Sequence, residues 1–311
     1  MKLAAVDIGS NAIRFQISSV LNYNGTITFK KMEYVRFPLR LGHDVFQYNE
    51  IRPEKEAKFI KLLHTFKMFF ELYEVDDYII CATSAMRESK NGRDIAQKVK
   101  DQLGLNIQII DGEKEAELIN KVIFNYLDEK AYLHIDVGGG STEINIFLNK
   151  KKVATNSFKI GSVRRLGGVD TPEEWTELKE WISKAVKGIP KPITAIGTGG
   201  NISKIYDLAK VSKSKSEKAL ININKIEEVQ SMLKSFTLEE RMNKLMLNPD
   251  RADVILPASD IYLSAMKWAG AKKMLVPDVG LKDGLMLSLY EKHKQEILSE
   301  SNLVLRNSKT I

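Results

Sequence analysis

The chain of 311 residues is 43% hydrophobic and 28% charged, a globular composition with enough length for two domains and for a core that needs neither disulfides nor structural metal. Its single cysteine, Cys81, excludes a disulfide framework and a cysteine zinc cluster and fits a reducing, cytoplasmic compartment. The net charge of +7 inclines the chain toward polyanions, but its local clusters at 150–152 and 210–218 read as solvated charges and support no specific nucleic-acid partner.

At the N-terminus the apolar run meets Asp7 before a signal-peptide core can form, and no later stretch approaches 18 uncharged apolar residues, so no membrane association is expected. LAAVDIGSNAIRFQISSV reads as two strands around a DIGSN turn, and Asn24-Gly25 as a hairpin turn into the strand TITFKKMEYVRF. Residues 53–74 place Phe59, Leu62, Leu63, Phe66, Phe69, Phe70 and Tyr73 at helical spacing, with Pro53 in the first turn, which predicts a helix with an aromatic core face. A strand, DYIICATS, and a loop follow, and 111–127 reads as an interlobe helix. LHIDVGGGSTEINIFL then repeats the opening pattern, a polar NKKK turn leads into VATNSFKIG, and EEWTELKEWISKAVKG, ITAIGTGGNISKIYDLA and DGLMLSLYEKHKQEIL supply helix, strand, loop and helix. Asp7 and Asp136 hold equivalent places 129 residues apart. The repeated order predicts a duplicated α/β fold, with lobes over residues 1–125 and 126–311 packed around a cleft.

Glycines just beyond a strand-end aspartate let backbone N–H groups approach phosphate oxygens, because no side chain intervenes. Gly138, Gly139 and Gly140, with the Ser141 and Thr142 hydroxyls, form one such cradle, and the turn at 7–11, with Gly9, Ser10 and Asn11, a second. GTGGN, with Gly197, Thr198, Gly199 and Gly200, leads into a helix N-terminus and makes a third. Any one of these is equally consistent with a tight turn; the set points to phosphate. Phosphate chemistry commonly uses Mg²⁺ or another divalent cation held by one or two carboxylates, for which Asp7, Asp136 and Glu143 are the candidates. Arg87, in the loop after the fourth strand, could grip a phosphate. Glu113, Glu115 and Glu117 open a helix, where carboxylates are favoured whatever their function. His43, His64, His134 and His293 show no metal-ligand spacing, and neither a G-x-S-x-G elbow nor a P-loop occurs.

AAVDIGSNAIR, ATSAMRESKNG, DGEKEAELI, HIDVGGGSTEI, FKIGSVRRL, GTGGNISKI, ERMNKL with DRADVILPA, and VGLKDGLM occur in the order and approximate spacing of the exopolyphosphatase/guanosine pentaphosphate phosphohydrolase (Ppx/GppA) family, which the chain resembles over nearly its whole length. The resemblance implies duplicated ribonuclease H-like lobes of the actin, Hsp70 and sugar kinase superfamily, a short two-lobe architecture and a homodimer. It implies that Glu115 is the catalytic base and Arg87 a phosphate-binding arginine, with Asp136 and Glu143 near Mg²⁺. The implied activity is release of terminal phosphate from inorganic polyphosphate, with guanosine pentaphosphate as the alternative substrate and a kinase, ATPase or alarmone sensor as further ones. Arg164 and Arg165 are expected to track a polyphosphate chain. Ala12, where the family often has a hydroxyl residue, and Asn201, where threonine is common, depart from the pattern.

Overall fold

The computed structural model describes residues 1–23, 26–209 and 219–307, with side chains described as far as residue 295. The expected Asn24-Gly25 turn and the 210–218 loop lie outside the described residues. The first sheet is built from β1 (Lys2–Ile8), β2 (Ile13–Tyr23), β3 (Thr26–Phe37), β4 (Asp77–Ala82) and β5 (Ile107–Ile109), in the order β3-β2-β1-β4-β5. The accompanying helices are α1 (Leu41–Tyr48), α2 (Pro53–Leu72), α3 (Ser84–Glu88), α4 (Gly92–Leu103) and α5 (Gly112–Ile123). β1, β2 and β3 pair antiparallel, while β4 and β5 join in parallel.

The second sheet repeats this plan with β6 (Ala131–Val137), β7 (Thr142–Leu148), β8 (Lys151–Phe158), β9 (Ile193–Thr198), β10 (Leu220–Asn222) and β11 (Lys273–Leu275), in the order β10-β11-β9-β6-β7-β8. Its helices are α6 (Ser162–Leu166), α7 (Pro172–Ala185), α8 (Gly200–Leu208), α9 (Ile223–Ser235), α10 (Leu238–Asn243), α11 (Pro249–Ala252), α12 (Ile255–Ala269) and α13 (Leu281–Asn307). Three antiparallel strands followed by parallel ones in both sheets make this a duplicated ribonuclease H-like fold. β10 is an antiparallel edge strand, paired to β11, that the first sheet lacks.

Each sheet has its own core because its strands are apolar on the face covered by helices. In the first, α2 buries Phe59, Leu63, Phe66 and Phe70 against β2, and Phe66 stacks on Phe15 with ring centroids 4.5 Å apart. Leu62, Phe69 and Tyr73, the remaining aromatic and aliphatic positions of that helical stripe, are partly buried at its margin. A third apolar cluster joins the two halves: Leu3, Ala5 and Cys81 of the first sheet meet Leu118 and Ile119 of α5, Phe147 and Ile196 of the second sheet, and Leu285 and Leu289 of α13. Here the helices change places. α5, from the first half of the sequence, packs on β7 and β8, whereas α13, from the end of the second, packs on β1, β2 and β4. The two helices touch closely, since a Cβ on Gly284 would collide with the Leu118 carbonyl. The expected division at residues 125 and 126 falls in the 3-10 turn Phe124–Tyr126 that links α5 to β6.

Candidate active site

β1 and β6 each carry an aspartate as their next-to-last residue, Asp7 and Asp136, and then turn through glycine. In the first turn the Gly9 N–H donates to the Ala12 carbonyl at 3.2 Å, and in the second the Gly138 N–H donates to the Ser141 carbonyl at 2.9 Å. The two turns are built alike and lie against each other: a Cβ on Gly139 would come within 2.8 Å of Ser10 Cβ and 3.2 Å of the Asn11 N. That approach demands glycine. Ser10 and Ser84, at the start of α3, share a hydroxyl hydrogen bond of 2.8 Å, which pins the first turn to the β4–α3 junction. The cleft between the turns is lined by Asp7, Gly9, Ser10, Asn11, Glu115, Asp136, Gly138, Gly139, Ser141, Gly199 and Gly200, with about 150 Å³ open to the centres of water-sized molecules.

Glu115 enters this cleft from the first turn of α5, whose N-cap Asp111 accepts from the Lys114 N–H at 2.7 Å. Glu113 on the same turn and Glu117 on the next are exposed, and Glu117 is paired with Lys114; Glu115 is 8% exposed, and its Oε2 has no hydrogen-bond partner. Burial, reinforced by the charges of Glu143, Asp136 and Asp7, holds the Glu115 carboxyl well above the usual carboxylate range, against the pull of Arg87. Behind it lies Glu143, fully buried, with its Oε1 accepting from the Ser157 hydroxyl at 2.9 Å and its Oε2 unpartnered. Burial and Asp136 push Glu143 up to about 7. Asp136 is likewise raised, by burial and then by Asp7, while the hydrogen bond from Thr198 and the charge of Arg14 oppose the shift.

Not every expected residue faces the cleft. Gly197 lies within β9, where a Cβ would meet Met274 Sδ at 2.5 Å, so its role is strand packing. Thr198 is fully buried and donates to Asp136 Oδ1 at 2.7 Å. Gly140 packs against Phe46 and Ser84, and Glu143 is fully buried and is not among the residues that line the cleft. Arg87 donates to the Ile110 carbonyl at 2.7 Å and lines an adjoining groove with Arg93, Lys100 and Asp111, acting on Glu115 and Glu143 through its charge. Gly199 is required by conformation: φ is +105°, and a Cβ there would also come within 3.1 Å of the Tyr262 hydroxyl and 3.3 Å of the Val137 carbonyl.

The expectation that Arg164 and Arg165 track a polyphosphate chain is corrected by their contacts. Arg164 is buried, donates to the Gly140 carbonyl at 2.9 Å, pairs with Glu88 at 2.7 Å and covers the Phe46 ring. Arg165 pairs with Asp170 and Asp260 and stacks over Trp175. Both are consumed as struts. The cations that do line the cleft are Arg14, Arg36, Arg251 and Lys282, to which the sequence alone assigned no role. Arg14 pairs with Asp7 at 2.7 Å and Arg36 with Asp250 at 2.5 Å. Arg251 donates to the Gly200 carbonyl, and its guanidinium is depressed by burial and then by the like charges of Arg36 and Arg14. Such crowding of cations signals a place for an anion. The available signal was strand alternation: Arg14 and Arg36 are register partners on β2 and β3 and share one face.

Among the described residues no three of His, Cys, Asp or Glu converge closely enough to hold a metal ion by themselves. Magnesium bound through one or two carboxylates, waters and substrate phosphate does not need three. Asp7 and Asp136 line the cleft, and the unpartnered oxygens of Glu115 and Glu143 beside them leave a local excess of negative charge that a divalent cation would offset.

A model of the Ppx/GppA phosphatase family matches residues 20–293. The chain belongs to that family. Among curated proteins it is 28% identical to the bifunctional 3-dehydroquinate synthase/phosphatase of Fusobacterium nucleatum, over 93% of this chain and 46% of that one. It is 23% identical to a guanosine-5'-triphosphate,3'-diphosphate pyrophosphatase of Photobacterium profundum, over 96% of this chain and 61% of the relative, and 22% identical to exopolyphosphatase 1 of Mycobacterium bovis, over 92% and 88%. The chain thus spans roughly half the length of the first of these relatives. Among solved structures, the Ppx/GppA family member of Aquifex aeolicus matches with a TM-score of 0.73 at 25% identity, covering 94% of this chain and 98% of that one. An exopolyphosphatase from Cytophaga hutchinsonii shares the fold with a TM-score of 0.81 at 20% identity, over 94% of this chain and 98% of its own.

Proposed function

We propose that this Ppx/GppA chain hydrolyses phosphoanhydrides, releasing terminal orthophosphate from inorganic polyphosphate. The observation that carries this reading is Glu115: a buried carboxylate with a free oxygen and a raised proton affinity, in the cleft where two glycine turns meet. A base for water needs these properties, because its proton affinity must approach the working pH.

Backbone N–H groups of the Gly9 and Gly138 turns would bind the terminal phosphoryl oxygens, with the Ser10 and Ser141 hydroxyls as further donors. Glu115 takes a proton from a water whose oxygen attacks the terminal phosphorus. The new P–O bond forms as the bridging P–O bond breaks, and the leaving phosphate oxygen departs with the electron pair. Arg87 offsets the charge that Glu115 and Glu143 concentrate. When bound, Mg²⁺ would supply charge neutralisation, and Asp7 and Asp136, which line the cleft, would hold it, with the buried Glu143 as a third candidate. Arg14, Arg36, Arg251 and Lys282 form the wall available to the penultimate and later phosphates, replacing the track first assigned to Arg164 and Arg165.

Guanosine pentaphosphate is the second reading, favoured by relatives named for a guanosine triphosphate diphosphate pyrophosphatase. A cytoplasmic location, in keeping with the buried free thiol of Cys81, and a homodimer belong to the same proposal; light scattering tests the latter. Phosphate release from polyphosphate, guanosine pentaphosphate and ATP, measured in parallel with Glu115→Gln as control, decides among the substrates. Release from none of the three by the wild-type protein with Mg²⁺ refutes the hydrolase reading.

A further inference from the structure

Asp136 is attached to a line of buried side chains that leads away from the cleft. The Thr198 hydroxyl donates to Asp136 Oδ1 at 2.7 Å; His134 Nε2 lies 2.9 Å from Thr198 Oγ1; Asn145 Nδ2 lies 3.0 Å from His134 Nδ1. Asn145 Oδ1 accepts from Thr155 Oγ1 at 2.7 Å and from Asn120 Nδ2 at 3.1 Å. Thr198, His134 and Asn145 are fully buried, and Asn120 is 6% exposed. Asn120 belongs to α5, the helix that carries Glu115.

The direction of every bond follows from one fact, that the Thr198 hydroxyl has a single proton and gives it to Asp136 Oδ1. Thr198 Oγ1 therefore accepts from His134, and the proton is on Nε2. His134 Nδ1 is then an acceptor and the ring is neutral. Asn145 must therefore present its NH₂ to His134 and its carbonyl oxygen to Thr155 and Asn120, as observed.

The other half of the molecule is an internal control. At the register positions equivalent to His134, Asn145 and Thr198, the first sheet has Ala5, Gln16 and Cys81. Gln16 turns to Ser18, and Asp7 is held by Arg14 instead. The duplicated scaffold does not require the relay; among the described residues it is built only under Asp136.

We propose that Asn120, Asn145, His134 and Thr198 form a polarised positioning relay that holds Asp136 in one orientation and couples it to the helix bearing Glu115. His134 is thereby a positioning residue of the hydrolytic site rather than a packing histidine, and this role rests on the proposed phosphohydrolase reading. Partners behind a metal-binding carboxylate fix its orientation, and their loss typically weakens metal affinity or activity by about 10–100-fold.

Two measurements test it. In ¹⁵N-histidine NMR of the unaltered protein at pH 7.5, His134 should be neutral with its proton on Nε2; an imidazolium, or a proton on Nδ1, overturns the relay. Mn²⁺ binding followed by electron paramagnetic resonance without substrate should weaken by roughly tenfold or more in Thr198→Val and in His134→Phe, with Thr198→Ser restoring it to within about twofold. Unchanged Mn²⁺ affinity in a folded Thr198→Val protein overturns the proposal. If the NMR and Mn²⁺ results hold but the wild-type protein hydrolyses neither polyphosphate nor guanosine pentaphosphate, the relay stands and the substrate reading falls.

Discussion

Three glutamates open α5, and only burial separates them. The helix dipole favours a carboxylate at each position, so spacing alone gives no reason to single out Glu115. The fold supplies the reason by turning Glu113 and Glu117 to solvent and Glu115 into the cleft. Replacing Glu115 by Gln, which keeps shape but cannot take a proton, should lower kcat by about 10²–10⁴ with little change in KM. A variant with unaltered kcat would remove Glu115 from the chemistry. Glu143 gives a stability prediction with a definite sign. Its carboxyl is raised from 4.5 to about 7, so the folded state holds the proton more tightly than the unfolded chain does. That contribution is fully present below the ordinary value and is lost as pH rises toward the raised one. In chelator, Glu143→Gln should therefore gain in thermal midpoint over wild type between pH 5 and pH 8. An advantage that shrinks over the same interval contradicts this account.

At the scale of elements, the strand–glycine–strand units were legible because their pattern is local: an apolar run, a strand-end aspartate and a glycine turn. The aromatic stripe of α2 was legible for the same reason, at helical period. What spacing did not convey is how the two copies diverged. Arg14 and Glu143 occupy equivalent register positions, opposite Asp7 and Asp136 respectively, yet one is a cation at the cleft wall and the other a buried acid. The fate of Arg164 and Arg165 was equally hidden, since it depends on Glu88 from the other half of the chain and on Asp260 from α12. The contact of the two turns is testable: Gly139→Ala places a methyl group against Ser10 and Asn11, and should raise KM for polyphosphate by roughly tenfold while costing about 1–3 kcal/mol of stability. Chemical denaturation and steady-state kinetics measure the two effects; a neutral substitution would show that the turns are not in forced contact.

Over the whole molecule, ion pairs tie the two halves together around the cleft. Arg36 pairs with Asp250, Arg40 with Asp253 at 2.6 Å, and Arg164 with Glu88, and the Asn11 side chain donates to the Asp250 carbonyl at 2.9 Å. Partly buried pairs of this kind contribute on the order of 1 kcal/mol each and weaken with salt. Arg40→Ala and Asp253→Ala should each raise KM severalfold and increase the radius of gyration in small-angle scattering, with the double variant no worse than either single one. Strict additivity of the two substitutions would mean that Arg40 and Asp253 act separately.

The exchange of α5 and α13 sets how such a molecule can open. Each sheet carries a helix covalently rooted in the opposite half, and the pair is pressed together at Gly284 and Leu118. Two crossed straps of this sort permit a door-like swing about a single spine while resisting shear and twist. Glu115 is fixed to one of those straps, and because α5 packs on β7 and β8, a motion that parts the two sheets would carry Glu115 with the second sheet.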